Sequence, residues 1–211
     1  MDADLPATAS PSPGPAARKR PKPGERRTQI LQVLAGMLEQ PGADRITTAA
    51  LAAKLDVSEA ALYRHFASKA QMFEALIDFI ETSVFGLVNQ IVDNPHPLPP
   101  PGKAARITSV MLQFGEKNPG MTRVLTGEAL VGEHERLQER INQMIDRIEA
   151  SLRQCLKVAV SQAAFPPDAD VPLRVALITA AVQGHWHRFV KSGFRKAPTE
   201  HIDAQLRILL G

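Results

Sequence analysis

Apolar residues recur along this chain at intervals of three and four, the spacing of one face of an α-helix. Ile30, Leu34 and Leu38 predict a first helix that ends before Pro41. Ser68 resembles the N-cap of a long fourth helix. Because no segment alternates in the manner of a strand, the predicted fold class is all-α, with about nine helices. The other helices are expected as a short pair within 46–66 and as segments at about 103–117, 121–131, 133–163, 172–192 and 199–210.

Two segments interrupt this pattern. Residues 1–24 are rich in Pro, Ala and Ser and show no periodicity, so we predict a disordered arm there. Residues 93–102 read DNPHPLPPPG, and prolines at this density exclude a helix and predict a semi-rigid spacer.

The short pair of helices lies in the stretch ITTAALAAKLDVSEAALYRHF. Isolated helices of two turns are marginal, so both must pack against the first and fourth helices. Thr47 or Thr48 can cap the first of them, and Ser58 can cap the second. This is the layout of a helix-turn-helix unit, although a generic helical hairpin with a polar face is a simpler alternative.

The second helix of the pair, Glu59–Phe66, would lie in the major groove of DNA. Small side chains at Ala60 and Ala61 allow close approach to the groove floor. Arg64 could read guanine and Glu59 could accept from cytosine, and the sequence alone does not settle base readout.

Phosphate contacts are predicted around the same helix. Tyr63 and His65 can donate to phosphates, and Lys69 lies where a helix dipole and a positive charge both favour an anion. Such contacts set register rather than sequence choice. The predicted DNA-binding residues are Thr47, Thr48, Ser58, Glu59, Ala60, Ala61, Tyr63, Arg64, His65 and Lys69.

Basic residues are concentrated near the N-terminus. The net charge of the chain is only +3, but six basic residues fall within residues 18–27. They form either a solvated tail or an arm that follows a phosphate backbone. The single Cys155 cannot form an internal disulfide, the N-terminus lacks a secretion signal, and we expect no segment that spans a membrane. These observations favour the cytoplasm.

Catalytic and metal chemistry find little support in the sequence. His185 and His187 are two residues apart, so on a helix they point to different faces, and no Cys or carboxylate cluster has matching ligand spacing. Glycine-rich phosphate loops and nucleophile motifs are also absent from the sequence. We therefore expect no enzyme, no metal and no cofactor.

The block ITTAALAAKLDVSEAALYRHFASKAQMFEALI resembles the DNA-binding domain of the TetR family of regulators. This resemblance implies a helix-turn-helix domain over residues 25–84, with the motif itself at about 47–66. It also implies a helical dimerisation and partner-binding domain over 85–211.

Three later segments resemble one branch of that family, the nucleoid occlusion factors: FGEKNPGMTRVLTGEAL, RLQERINQMIDRIEASLRQ and RFVKSGFRKAPT. The resemblance implies a nucleoid-associated homodimer on palindromic double-stranded DNA. While bound there it would bind the tubulin-like protein FtsZ and antagonise division-ring assembly, with no obligatory small molecule. The alternative is a ligand-responsive repressor, which predicts a sizeable apolar cavity.

Surfaces for the protein partner and for the dimer are also expected. Phe79 lies off the apolar stripe of the fourth helix, and Lys117 with Asn118 matches a second location that the resemblance implies for FtsZ. Simpler alternatives are flank packing for Phe79 and a plain helix end for the other two. The dimer interface is predicted on the seventh and eighth helices, with the protomer core as the simpler alternative. Its candidate residues, all on the eighth helix, are Ala181, Gly184, Trp186 and Phe189.

Overall fold

The computed structural model describes residues 24–40, 46–94, 98, 102–168 and 170–210. Within these ranges the secondary structure consists of helices and contains no strand, which confirms the all-α fold class. The helices are α1 (Glu25–Leu38), α2 (Thr48–Lys54), α3 (Glu59–Tyr63), α4 (Lys69–Val92), α5 (Gly102–Lys117), α6 (Pro119–Leu125), α7 (Glu135–Ser161), α8 (Val171–Lys191) and α9 (Ile202–Leu210), with a 3₁₀ turn at Glu128–Leu130. The predictions for the arm, residues 1–23, and for most of the proline-rich spacer lie outside the described residues.

The predicted boundaries of two helices, α3 and α6, were wrong. The second short helix ends at Tyr63 rather than at Phe66, because Arg64 is its C-cap and the chain turns there. Helix α6, predicted over about 121–131, begins at Pro119 and already ends at Leu125, and a separate 3₁₀ turn follows at Glu128–Leu130. Proline suits the first position of a helix, since the N–H that it lacks would have no partner there.

The N-terminal helices pack around a small apolar core. Helix α1 buries Ile30 and Leu34, and the short pair contributes Leu51 and Leu62, each at most 1% exposed. Phe66 closes this core just before α4 begins. Packing of this kind supplies the stability that helices of five and seven residues lack alone.

Helix α4 is 24 residues long and apolar enough, by length and composition, to cross a membrane. Its apolar stripe instead lies in the protein core, from Phe73 to Ile91. The sequence predicts that this stripe runs through Phe73, Ile77, Ile80, Val84, Leu87 and Ile91. It is wrong at one position, because Val88 is fully buried while Leu87 is 38% exposed. One such helix is only weak evidence for a membrane protein, because the core helix of a soluble protein passes the same test of length and composition.

Ion pairs fasten the outer side of α4 to α7. Glu74 pairs with Arg136 at 2.6 Å, Asp78 pairs with Arg140 at 2.7 Å, and Glu81 pairs with Arg140 at 2.5 Å. Burial lowers the pKa of Arg140, but hydrogen bonds and charge from the two carboxylates raise it, and the net shift is upward. The guanidinium therefore stays charged, and the three ion pairs hold α4 against α7 along about two helical turns.

Helix α6 joins the two halves of the chain. Arg123 is only 9% exposed, and its Nη1 donates to the carbonyl oxygens of Leu38 and Gln40 at 3.2 Å each. These carbonyls belong to the end of α1, where a helix leaves its last C=O groups without partners. Glu128 neutralises the guanidinium, with its Oε1 2.7 Å from Nη2.

Candidate nucleic-acid interface

Side-chain caps define both helices of the short pair. The hydroxyl of Thr47 accepts from the amide of Ala50 at 3.1 Å, and the hydroxyl of Ser58 accepts from the amide of Ala61 at 3.2 Å. Between them Asp56 adopts a left-handed conformation with φ of 54°. The three-residue turn therefore reverses the chain with both helix starts satisfied.

Helix α3 presents one face to solvent. Ala60 and Arg64 are exposed and Tyr63 is 45% exposed, while Leu62 on the opposite side is 1% exposed. His65 is half-buried in the turn that follows. The face carrying the predicted contacts thus points away from the core, as a helix that enters a groove requires.

Thr48 and Glu59 are brought together by the fold. The Thr48 hydroxyl donates to Oε2 of Glu59 at 2.6 Å, across the turn between α2 and α3. The sequence had suggested separate roles for the two residues. The bond fixes the Glu59 carboxylate at the exposed start of α3, and its other oxygen has no hydrogen-bond partner among the described residues.

Arg27 holds the end of α3 in place. The sequence identified this residue only as a member of the basic segment within residues 18–27. Its Nη1 donates to the carbonyl oxygen of His65, and its guanidinium lies 4.1 Å from the ring centroid of Phe66. Both interactions cross from α1 to the turn after α3. Spacing could not reveal them, because 38 residues separate the hydrogen-bonded partners.

Lys69 begins α4, directly after the Ser68 cap. Its ammonium forms an ion pair with Glu133 in the segment before α7, and it also lies 5.7 Å from the ring centroid of Phe73. The side chain remains one-quarter exposed. The residue predicted to contact phosphate therefore already has an anionic partner within the protein.

The residues predicted for the protein partner lie in different environments. Phe79 is 48% exposed on α4, so it does project from the core stripe. Lys117 is exposed at the end of α5. The amide of Asn118 is half-buried and donates to the carbonyl oxygen of Phe114 at 2.8 Å, which closes α5. Asn118 thus has a structural use beside any role in binding.

The predicted dimer residues fall on both sides of α8. Gly184 is exposed and Ala181 is half-buried. Trp186 and Phe189 are 0% and 3% exposed, so assigning them to a surface between protomers was wrong. Trp186 instead fills the protomer core, with its indole N–H donating to the carbonyl oxygen of Met111 at 3.3 Å.

Two exposed leucines of α8 were not among the predicted dimer residues. Leu173 and Leu177 are 55% and 47% exposed on α8. At 100° per residue they share a side of the helix with Gly184. Large apolar side chains beside a small residue are typical of a surface that another helix covers.

A narrow, partly open cavity lies between α5, α7 and α8. It holds about 20 Å³ and is lined mostly by apolar side chains, among them Ile148, Ile178 and Trp186. The hydroxyl oxygen of Thr179 faces it without a hydrogen-bond partner in the described residues. This volume suits one water molecule, whereas small-molecule sites have several hundred Å³.

The two histidines of α8 do not converge. Nε2 of His185 lies 2.6 Å from Oε1 of Gln205 on α9, and His187 is exposed. His187 also lines a polar pocket of about 110 Å³ with Gln138 and Asn142. The two histidines therefore have different surroundings and do not share a site. The described residues contain no group of three metal-ligating side chains.

Family models match both halves of the chain. Residues 30–76 match the model described as bacterial regulatory proteins of the tetR family. Residues 103–211 match the model described as the tetracyclin repressor-like C-terminal domain. A solved structure of the fatty acid degradation regulator FadR from Bacillus halodurans has the same fold, with a TM-score of 0.74 at 15% identity over 90% of this chain and 97% of that one.

The chain is therefore a member of the TetR family of DNA-binding regulators. Among curated relatives, the nucleoid occlusion factor SlmA of Vibrio cholerae is 46% identical over 187 residues, covering 87% of this chain and 93% of the relative. The nucleoid occlusion factor SlmA of Photobacterium profundum is 46% identical over 191 residues, covering 89% and 95%. Within the TetR family, the chain belongs to the family of the nucleoid occlusion factor SlmA.

Proposed function

We propose that this protein is a nucleoid occlusion factor. It acts by binding, as a cytoplasmic, nucleoid-associated homodimer on palindromic chromosomal DNA. While bound there it engages FtsZ and antagonises division-ring assembly over the nucleoid. The observation that carries this proposal is the similarity to occlusion factors through the C-terminal half, residues 103–211, and not only through the helix-turn-helix domain.

The DNA contact is assigned to the exposed face of α3 and its flanks. Ala60 and Ala61 let the helix approach the groove floor, and Arg64 projects beside them with no polar partner in the described residues. Tyr63 and Lys69 act on phosphates. Because α3 is only five residues long, a second half-site is needed for useful affinity, which supports a two-fold dimer.

The protomer contact is assigned to the exposed side of α8. Leu173, Leu177 and Gly184 would meet their counterparts across the two-fold axis. Residues 25–84 form the DNA-binding domain and residues 85–211 the dimerisation and partner-binding domain. Phe79, Lys117 and Asn118 remain the proposed FtsZ contacts, and the exposure of the first two supports this assignment.

A sedimentation assay of FtsZ polymers tests the proposal. We expect the protein, together with genomic fragments that it has selected, to lower the amount of FtsZ that pellets. Lys117→Glu should keep its DNA affinity and lose this effect. Lys157→Glu, an exposed residue on α7 with the same charge change, is the control and should act like the wild type. Undiminished FtsZ pellets with the wild-type protein and its DNA would refute the function.

DNA binding is tested separately by its salt dependence. Tyr63→Ala and Lys69→Ala should weaken binding by a similar factor on specific and non-specific DNA. Each lost phosphate contact should lower the slope of log affinity against log salt by about one per protomer. A slope unchanged in both variants would remove these residues from the phosphate-contacting set.

The ligand-responsive repressor remains the alternative function. It requires a small molecule inside the C-terminal domain that changes the affinity for DNA. The cavity of about 20 Å³ beside Trp186 is far too small for such a ligand. The larger hollow of about 340 Å³ beside Phe165 lies at the loop after α7 and is open to solvent, unlike a site that buries its ligand. This observation favours the occlusion factor.

A further inference from the structure

Glu133 forms an ion pair with Lys69, the residue that is proposed to contact a phosphate of the DNA backbone. Its carboxylate pairs with the Lys69 ammonium, and the side chain of Glu133 is only 15% exposed. Phe73 lies beneath the same ammonium and limits where it can go. Glu133 is 64 residues further along the chain, so this is a contact between the C-terminal half and the DNA-binding domain.

A phosphate cannot approach Lys69 without consequence for this pair. If the ion pair opens, its Coulomb attraction is lost before the phosphate contact forms. If it stays closed, a carboxylate remains a few ångströms from a phosphate, and like charges at that distance repel. Both routes lower the affinity for DNA.

We infer that Glu133 is a positioning residue that sets the DNA affinity by competing with backbone phosphate for Lys69. The inference rests on the proposed function, in which Lys69 contacts DNA. Glu133 touches no DNA itself and acts only through the lysine that it neutralises. DNA binding would in turn release Glu133 from the start of α4.

The surroundings of Glu133 allow that release. Val131 is 77% exposed and His134 is exposed, so moving this short segment uncovers no core. Gly132, with φ of 77°, adopts a conformation that glycine tolerates freely. The beginning of the segment stays fixed by the Glu128–Arg123 pair, which limits the movement to residues 131–134.

Substituting Glu133 tests the inference by a gain rather than a loss. Glu133→Gln should tighten binding to a selected DNA fragment by roughly two- to fivefold per protomer, the range of a partly exposed ion pair. Glu135→Gln is the control, because Glu135 is exposed two residues away and the substitution changes the net charge equally. Affinity is measured by fluorescence anisotropy at one fixed salt concentration. A merely structural defect would weaken binding instead.

The double variant Lys69→Ala/Glu133→Gln separates competition from general charge. We expect Glu133→Gln to have no effect beyond that of Glu135→Gln once Lys69 is absent. Hydrogen exchange should also show that wild-type amides in 131–134 exchange faster on DNA, while those of α3 exchange more slowly.

Three results would overturn the inference: equal affinities for the two glutamine variants, a gain that persists without Lys69, or no change in exchange at 131–134. The proposed function fails in a different way, through absence of selective DNA binding or of any effect on FtsZ. If Lys69→Ala weakens binding while Glu133→Gln leaves it unchanged, only the inference about Glu133 falls.

Discussion

Gly120→Ala tests the contact between α6 and α1 that joins the two halves of the chain. A Cβ added at Gly120 would lie 3.0 Å from the carbonyl carbon of Ala35 and closer still to its oxygen. The obstacle is helical backbone, which cannot rotate away as a side chain would. The two helices would have to move apart by about an ångström to accept one methyl group.

The cost has two parts. Overpacking of this kind destabilises by about 1–3 kcal/mol. Separation of the helices also weakens the hydrogen bonds from Arg123 to Leu38 and Gln40, and bonds to charged groups contribute about 1.5–3 kcal/mol. Because the hydrogen bonds are weakened rather than lost, only part of that second contribution is forfeited, and we expect a total loss of about 2–5 kcal/mol. For a chain of this length, about 2–4 °C of melting temperature per kcal/mol gives a decrease of roughly 4–20 °C.

Gly36→Ala is the matched control, because Gly36 lies one residue along α1 from Ala35 and an added Cβ would meet nothing within 4 Å. This change should raise the free energy of unfolding by about 0.5–1 kcal/mol, since alanine is the better helix former. The assay is thermal unfolding followed by far-ultraviolet circular dichroism, at one protomer concentration because a dimer is expected. If Gly120→Ala is as stable as the wild type, α6 and α1 are not packed this closely.

Three further predictions concern other regions. Leu177→Glu should shift the protein from dimer to monomer in analytical ultracentrifugation and weaken DNA binding with it; a full dimer would move the interface elsewhere. Burial raises the pKa of Cys155 more than the charge of Lys103 lowers it, so less of this thiol is in the reactive thiolate form than in a free cysteine. Alkylation of Cys155 should therefore be slower than that of free cysteine at pH 7 and should become faster as the pH rises. A rate equal to that of free cysteine would contradict this. Deleting residues 1–24 should weaken non-specific DNA binding in low-salt titrations, and unchanged binding would make this segment a passive tail.

Features encoded locally in the sequence were predictable. Thr47, one of the two candidates for the first cap, and Ser58, the candidate for the second, cap the two short helices. The predicted contact residues of α3 lie opposite Leu62, the one residue of that helix that is buried. These features depend on neighbours within four residues, so the pattern of residue types contains them.

The predictions that failed depended on which of two faces a helix buries. Helix α8 has large apolar residues on both sides. The sequence-based prediction assigned Trp186 and Phe189 to the dimer interface and did not include Leu177. Periodicity identifies an apolar face but does not say whether the same chain or a second copy covers it. Contacts across long separations, such as that of Arg27 with His65, leave no signal in a single sequence at all.

The interactions around α4 and α6 bear on the choice between the two functions. A repressor that responds to a ligand needs a DNA-binding domain whose position a small molecule can change. Here the Arg140 pairs hold α4 along α7, Arg123 holds α1 against α6, and the cavity beside Trp186 admits about one water. No large ligand can act from inside that cavity, and a shift of α4 would break charged pairs that are partly shielded from solvent. The exchangeable contact is instead Lys69 with Glu133, and its competitor is DNA. This arrangement favours a protein whose C-terminal half responds to being bound on DNA over one that leaves DNA on command.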